Sequence, residues 1–266
     1  MTGWRILKHS IGMLWRNFGI VMRISLVLVI LSFAVKLGLK PWIASHAVAP
    51  IQRDPLVAFV LLQIPALLSM IIWAWIAVNW HRFILLNERP KSWVPTLRGN
   101  NIFMYLLWII ILVTICILFL TPLISLVLAL FRSSLAAGFR PNTAEIVLIY
   151  GLCIFVFLLV VVVMMRLSPV FVSRSLGEKV GLREAWRLTE GASGSIFSIF
   201  IIVLIFLAAL TAGWMAVLTF FTSLIMSMIF VILPIYLALV WLSGMLLVSV
   251  MTTFYGVCVE KRELWP

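Results

Sequence analysis

Apolar residues run through this chain in long blocks separated by short charged segments. Blocks at 18–39, 55–79, 102–131, 146–171, 196–219 and 227–254 each supply the roughly 20 residues that a helix needs to cross a bilayer. The third is long enough to tilt, or to kink at Thr121–Pro122. The last two come from one uncharged run, 191–259. As a single helix it would be roughly 100 Å long, against a hydrocarbon layer about 30 Å thick. It therefore has to turn back, near Thr219–Ser227. The pattern predicts an all-α polytopic membrane protein with six transmembrane helices in one membrane domain, 1–266.

Composition agrees. Hydrophobic residues make up 65% of the 266 positions and charged residues 11%, well under the roughly 25% charge of soluble domains. Such a chain needs lipid as its solvent. The run from Ile24 to Val35 follows Arg5, Lys8, Arg16 and Arg23, like a charged leader. It starts late and lacks a small-x-small cleavage site, so a retained first span is expected.

Charge sets the expected orientation. Fifteen of the twenty Lys and Arg residues lie in the N-terminal segment up to Arg23, in 80–101, in 166–187 and in the C-terminal tail. Lys36, Lys40, Arg53, Arg132 and Arg140 lie on the other side. The excess of positive charge on one side places both termini in the cytoplasm. A net charge of +12 on a chain with no solvated domain points to anionic phospholipids as partners, not to nucleic acid.

Three charged segments echo one another: "LLNERPKSW" at 85–93, "SLGEKVGLREAW" at 175–186 and "CVEKRELW" at 258–265. Glu88, Glu178 and Glu260 are each followed by a base (Arg89, Lys179, Lys261) and then by a Trp (Trp93, Trp186, Trp265). The segments ahead of the odd-numbered spans also resemble one another. Residues 4–17 put Trp4, Leu7, Ile11, Leu14 and Trp15 on one helical face and Arg5, Lys8, Gly12 and Arg16 opposite. Residues 182–190 set Leu182, Ala185, Trp186 and Leu188–Thr189 against Arg183, Glu184, Arg187 and Glu190, and 91–98 reads as a shorter, Pro-interrupted version. The implied unit is an interfacial amphipathic helix, two spans and a charged elbow, repeated over 4–88, 89–178 and 179–260 as three parallel hairpins. The bland alternative is that the positive-inside bias and the aromatic belt alone put bases and Trp there. Glu is required by neither rule. In the repeat reading each Glu pairs with a base of a neighbouring elbow.

Little in the chain suggests chemistry. No acid falls at the centre of a span, as ion-coupled transport usually requires. There is no HExxH, GxSxG, GxGxxG or P-loop. His9, His46 and His81 are scattered, and Cys116, Cys153 and Cys258 form no CxxC pair. No metal, cofactor or enzymatic activity is expected. The candidate lipid- or partner-binding residues are His81, Arg82, Arg89, Trp93, Arg166, Arg183, Trp186 and Arg187. Two readings stay open for Arg166: it points into the bundle and holds a lipid phosphate, or it snorkels toward the cytoplasm. His81 either bonds Glu88 or a headgroup, or marks the interface.

"AVNWHRFILLNERP" at 77–90 and "LREAWRLTEG" at 182–191 resemble segments of uncharacterised bacterial inner-membrane proteins. These are similar to the membrane domain found beside some glycerophosphodiester phosphodiesterases, and the "WHRFILL-E" form is similar to alphaproteobacterial members. The resemblance implies an all-helical inner-membrane protein and carries over no catalytic residue. Two functions are expected from the sequence. One is a non-enzymatic protein that binds lipids or joins another membrane protein complex. The alternative is a small transporter or channel for lipids or small molecules, suggested by helix-breaking Pro65, Pro122, Pro169 and Pro234.

Overall fold

The computed structural model describes residues 3–46, 55–136, 143–199, 201–202, 213 and 225–264. The described residues are mostly helical and contain no strand. In an apolar solvent a backbone can satisfy its N–H and C=O groups only against itself, and a helix does so within one segment.

Helix α1 (Gly3–Arg16) is separated from α2 (Phe18–His46) by Asn17 alone. Then come α3 (Pro55–Leu86), α4 (Gly99–Ala136), α5 (Thr143–Leu176) and the short α6 (Leu182–Leu188). A helical segment α7 starts at 193, and α8 (Ile225–Cys258) closes the chain. Among the described residues, five helices hold stretches long and apolar enough to cross a bilayer: Phe18–Ile43, Val60–Leu86, Gly99–Pro122, Ile154–Leu176 and Pro234–Cys258. Most of the span expected at 196–219, and the turn before 225, lie outside the described residues, as does Trp265.

Helices α3, α5 and α8 pack against one another. Helix α2 lies along α3, α4 lies along α5 and touches α3, α1 lies against α8, and α6 lies against α5. Fully buried side chains in the C-terminal halves of α3, α5 and α8 include Ile76, Trp80, Phe171, Met245 and Tyr255, and Ile24 and Leu28 of α2 and Leu112 of α4 are buried as well. The outer faces stay apolar: Phe103, Ile117, Leu118 and Phe155 are all more than half exposed. An outward apolar surface of this kind is what a lipid solvent permits. One contact is unusually close. A Cβ on Gly244 of α8 would fall inside the indole of Trp73 on α3, so only glycine lets these two helices approach as they do.

The expected amphipathic version at 91–98 is not helical. Pro90 and Pro95 supply no N–H and hold the residues before them in extended backbone. The loop is tied back to α3 instead, where Trp75 Nε1 and Asn79 Nδ2 both donate to the Thr96 carbonyl, at 3.2 and 3.3 Å.

Candidate functional site

The C-terminal ends of α3, α5 and α8 meet at one end of the bundle. Glu88, Glu178 and Glu260 each stand two residues beyond a helix end, at Leu86, Leu176 and Cys258 respectively. The caps differ. Asn87 and Gly177 take left-handed backbone, with φ of 55° and 89°, the usual way to stop a helix. In the third elbow it is Lys261, after the Glu, that is left-handed (φ 58°). The first and third caps each close with a bond from the sixth residue on, Glu88 N–H to the Arg82 carbonyl and Arg262 N–H to the Gly256 carbonyl. By cap geometry, Glu88 corresponds to Arg262, two residues away from the sequence alignment.

The three acids find different partners. Arg82 grips Glu88 with Nε at 2.9 Å and Nη2 at 2.6 Å, and Arg98 Nη2 adds a third donor at 2.7 Å. The Arg82 hydrogen bonds are the main reason the Glu88 carboxyl sits below its ordinary pKa. Glu178 accepts from the Tyr255 hydroxyl at 2.7 Å. Glu260 is paired with Arg262 of its own elbow, yet burial outweighs that pairing and holds its carboxyl above the ordinary value, with the Glu178 charge adding to the rise. The expected pairing of Glu with a base from a neighbouring elbow is therefore replaced by other links. Arg82 Nη1 donates to the Ser175 carbonyl at the end of α5 at 3.0 Å, and Arg262 Nη2 donates to the Leu85 carbonyl at the end of α3 at 2.8 Å. Helix ends leave carbonyls without intrahelical partners, and a guanidinium satisfies them well. Tyr255 links the third elbow to the second.

His81 is fully buried, contrary to a headgroup or interface role. Its Nδ1 lies 2.8 Å from Thr252 Oγ1 and its Nε2 lies 3.4 Å from the Tyr105 hydroxyl. Thr252 spends its own proton on the Val248 carbonyl. Nδ1 therefore donates to Thr252, and Nε2 accepts from Tyr105. The cluster joins α3, α4 and α8 inside the core.

Arg166 follows neither reading in full. It leaves α5 sideways and stacks on Trp186, with its guanidinium carbon 3.8 Å from the ring centre. Nη2 donates to the Trp186 carbonyl at 2.8 Å. The residue clamps α6 onto α5, where Ala185 is buried. Arg183 and Arg187 are exposed on α6, and Arg89 and Trp93 are exposed on the first elbow. Arg82, nearly buried at 11% side-chain exposure, is committed to the elbow.

Helix α1 carries the feature that the sequence only half indicates. Gly3, Ile6, Leu7 and Ser10 are buried, and Ser10 Oγ lies 2.9 Å from Thr253 Oγ1 of α8. Gly3 abuts the backbone of α7 at Ser195 and Ile199, with no room for a side chain. Trp4 (57% exposed), Ile11 and Trp15 (77% exposed) face away from the protein, and Arg5, Lys8 and Arg16 are also exposed. The single apolar face expected from the sequence is two stripes, one turned to the bundle and one turned outward, with the bases beside them.

Between α1, the ends of α3 and α8, and the tail lies an open cavity of about 570 Å³. Lys8, Arg16 and Arg262 contribute charge to its lining, Met13, Leu85 and Val257 contribute apolar surface, and Glu263 is the acid. His9 also lines it; burial, and then the nearby Arg16, hold its pKa below the ordinary value. A second cavity of about 360 Å³ adjoins it, sharing Arg16 and Asn17, and is lined also by Gly19, Arg23 and Arg89. No group of His, Cys, Asp and Glu suited to a metal ion occurs among the described residues.

Long apolar helices, an apolar exterior and charged elbows at one end define the class: a polytopic helical membrane protein. Comparison with protein-family models, curated proteins and solved structures gives no match that would place the chain more narrowly.

Proposed function

We propose that this protein is a non-enzymatic integral protein of the bacterial inner membrane, and that it binds anionic phospholipid in a groove at the cytoplasmic leaflet. One observation carries the reading. The 570 Å³ cavity beside α1 joins Lys8, Arg16 and Arg262 to an apolar lining, next to a stripe of exposed Trp4, Ile11 and Trp15. Tryptophans at headgroup depth and bases beside them are how interfacial helices meet lipid. A phosphate with the first carbons of its acyl chains matches both parts of such a lining.

The architecture that goes with this reading is six spans in three like-facing hairpins, with α3, α5 and α8 as the inner members and the charged elbows in the cytoplasm. The mutual packing of those three helices supports it, as do the three links between their ends. The positive-inside excess supplies the orientation. The two-residue offset of the third cap is the feature that fits it least.

Gly12 lines the larger cavity and has open space beside it. Protein extracted in mild detergent should retain phospholipid in native mass spectra, and Gly12→Trp, which fills the cavity, should release it. Wild-type protein that carries no phospholipid and is not stabilised by added phosphatidylglycerol would sink the reading.

A further inference from the structure

We propose that the cavity beside α1 takes an anionic phospholipid whose headgroup carries hydroxyl groups, and that Glu263 accepts hydrogen bonds from those hydroxyls. The inference rests on the lipid-binding reading and deepens it: a phospholipid enters, and the lining selects its headgroup.

Most of the charge around this cavity is already engaged. Arg262 donates from Nη1 to the Ile84 carbonyl at 3.3 Å and from Nη2 to the Leu85 carbonyl at 2.8 Å, and its Nε pairs with Glu260. His9 and Arg16 also interact within the protein. Lys8 and Glu263 line the same cavity and are exposed. Neither makes an ion pair or a hydrogen bond among the described residues. A base and an acid are thus left to meet an occupant.

Glu263 sits between two anchors. On one side Arg262 is fixed by the carbonyls at the end of α3 and by its own N–H, which closes the cap of α8 on the Gly256 carbonyl at 2.9 Å. On the other side Leu264 packs on the cluster that holds Ile6 and Leu7 of α1 and Phe254 of α8. The tail therefore runs from the end of α3 toward α1 with Glu263 between them. Lys8 is carried by α1, whose Ile6, Leu7 and Ser10 are buried. The backbone under both charges is set before a ligand arrives, which lowers the ordering cost of binding.

The hydrogen-bonding sense of the lining selects the ligand. A carboxylate accepts and donates nothing. Thr253, only 6% exposed, lines the cavity as well. Its Oγ1 meets Ser10 Oγ at 2.9 Å, and whichever hydroxyl donates, Thr253 keeps a lone pair. Glu263 and Thr253 therefore call for donors on the ligand. A phosphate monoester brings further acceptors and a charge of about −1.5 to −2 at pH 7, which Glu263 repels. A glycerol headgroup brings hydroxyl donors and keeps the single negative phosphodiester charge that Lys8 attracts. The shared chemistry, a phosphodiester of a polyol, occurs in a phospholipid and in its deacylated, soluble form.

The test uses full-length protein in lauryldimethylamine oxide, a detergent without hydroxyl groups, with binding read by calorimetry. Dioctanoyl phosphatidylglycerol and dioctanoyl phosphatidylmethanol carry the same charge and differ in the headgroup hydroxyls. The wild type is expected to bind the glycerol lipid about tenfold more tightly, the margin of one charge-assisted hydrogen bond. Glu263→Ala should bring the two lipids level by weakening the glycerol lipid alone. Lys8→Gln should weaken both and keep their ratio. Both positions are exposed, so neither change should unfold the protein, and unfolding midpoints check this. Equal binding by the wild type, or a preference untouched by Glu263→Ala, would overturn the inference and leave the lipid reading standing. Binding of neither lipid would remove both. Tighter binding of dioctanoyl phosphatidylethanolamine than of the glycerol lipid would also overturn the inference, because Glu263 would then pair with an ammonium. Glycerophosphoglycerol binding as tightly as the lipid would keep hydroxyl recognition by Glu263 and remove the lipid.

Discussion

Arg82 and Glu88 close a hydrogen-bonded ring, with two donors at 2.9 and 2.6 Å on the two carboxylate oxygens, while the remaining Arg82 nitrogen holds the Ser175 carbonyl at 3.0 Å. One side chain thus ends its own helix, orients its own elbow and fastens the neighbouring helix. Asn101 adds to the join by donating to the Arg174 and Ser175 carbonyls at 3.1 Å. Arg82→Ala should lower stability by about 1.5–3 kcal/mol, the usual worth of charge-assisted hydrogen bonds, seen as a lower midpoint of thermal unfolding in detergent. Arg82→Lys should recover little, because an ammonium cannot span both oxygens and the carbonyl. Full recovery by Lys would show that only the charge matters.

The two elbow acids should respond to pH with opposite signs. Hydrogen bonds from Arg82 depress the Glu88 pKa, the Arg82 and Arg98 charges add to this, and burial opposes it. A depressed carboxyl contributes stability that is complete above its unfolded value and is lost as pH falls through the folded one. The wild type should therefore lose stability below about pH 4.5 faster than Glu88→Gln does. Burial raises the Glu260 pKa despite Arg262. Its contribution is present at low pH and disappears as pH rises through the folded pKa. At pH 7 Glu88→Gln should destabilise, whereas Glu260→Gln should be neutral or mildly stabilising. Unfolding midpoints of both variants from pH 3.5 to 7.5 check this; equal losses at pH 7 would contradict it.

Gly244 and Trp73 test the packing of α3 on α8. Gly244→Ala places a methyl inside the indole envelope and should cost about 1–3 kcal/mol, the range for overpacking in a dense core. Trp73→Leu in the same chain makes room, so the double variant should lose less than the two single variants together. Simple additivity would mean that the helices shift apart freely.

Within the core, bond geometry ranks the partners of His81. Thr252→Val removes the acceptor 2.8 Å from Nδ1 and leaves a buried N–H unsatisfied, at a cost of about 1–3 kcal/mol. Tyr105→Phe removes a longer contact of 3.4 Å and should cost less. A larger loss from Tyr105→Phe in thermal unfolding would reverse the assignment of the proton to Nδ1.

The five described spans were readable because hydropathy is a local property, but the helices run past the expected limits of 79 and 171, to Leu86 and Leu176. Placing the elbows at Glu88, Glu178 and Glu260 was equally local, since each acid follows a helix end by two residues. The partners of those acids were not readable. Arg98, Tyr255 and Arg262 are ordinary interfacial residues in sequence, and only the meeting of three helix ends makes them partners. Helix α1 shows the same limit. Its 3.6-residue periodicity marks an apolar arc, but both protein and lipid attract apolar side chains, so the split between Leu7 (buried) and Ile11 (exposed) is decided by where α8 lies. His81 misleads because a polar residue near a span end normally signals the interface. Here α3 continues to Leu86, and the partners Tyr105 and Thr252 come from other helices. The cleft of Arg16, Arg23 and Arg89 was visible only as part of a general basic excess.

The like-facing arrangement makes a direct topological prediction. Lys91, Lys179 and Lys261 are exposed on the three elbows, and Trp42 is exposed near the far end of α2. In a cysteine-free background, single cysteines at 91, 179 and 261 should all react with a membrane-impermeant maleimide in inside-out vesicles and not in intact spheroplasts. A cysteine at 42 should react in the opposite pattern. The prediction is demanding because every elbow-to-elbow return must contain two crossings, so one missing span between 193 and 225 would move position 261 to the other compartment. The contact of Tyr255 with Glu178 at 2.7 Å requires positions 179 and 261 to share a side. Labelling of 91 and 179 from opposite compartments would dismantle the hairpin arrangement, and with it the gathering of Lys8, Arg16, Arg23, Arg89 and Arg262 at one leaflet on which the lipid reading depends.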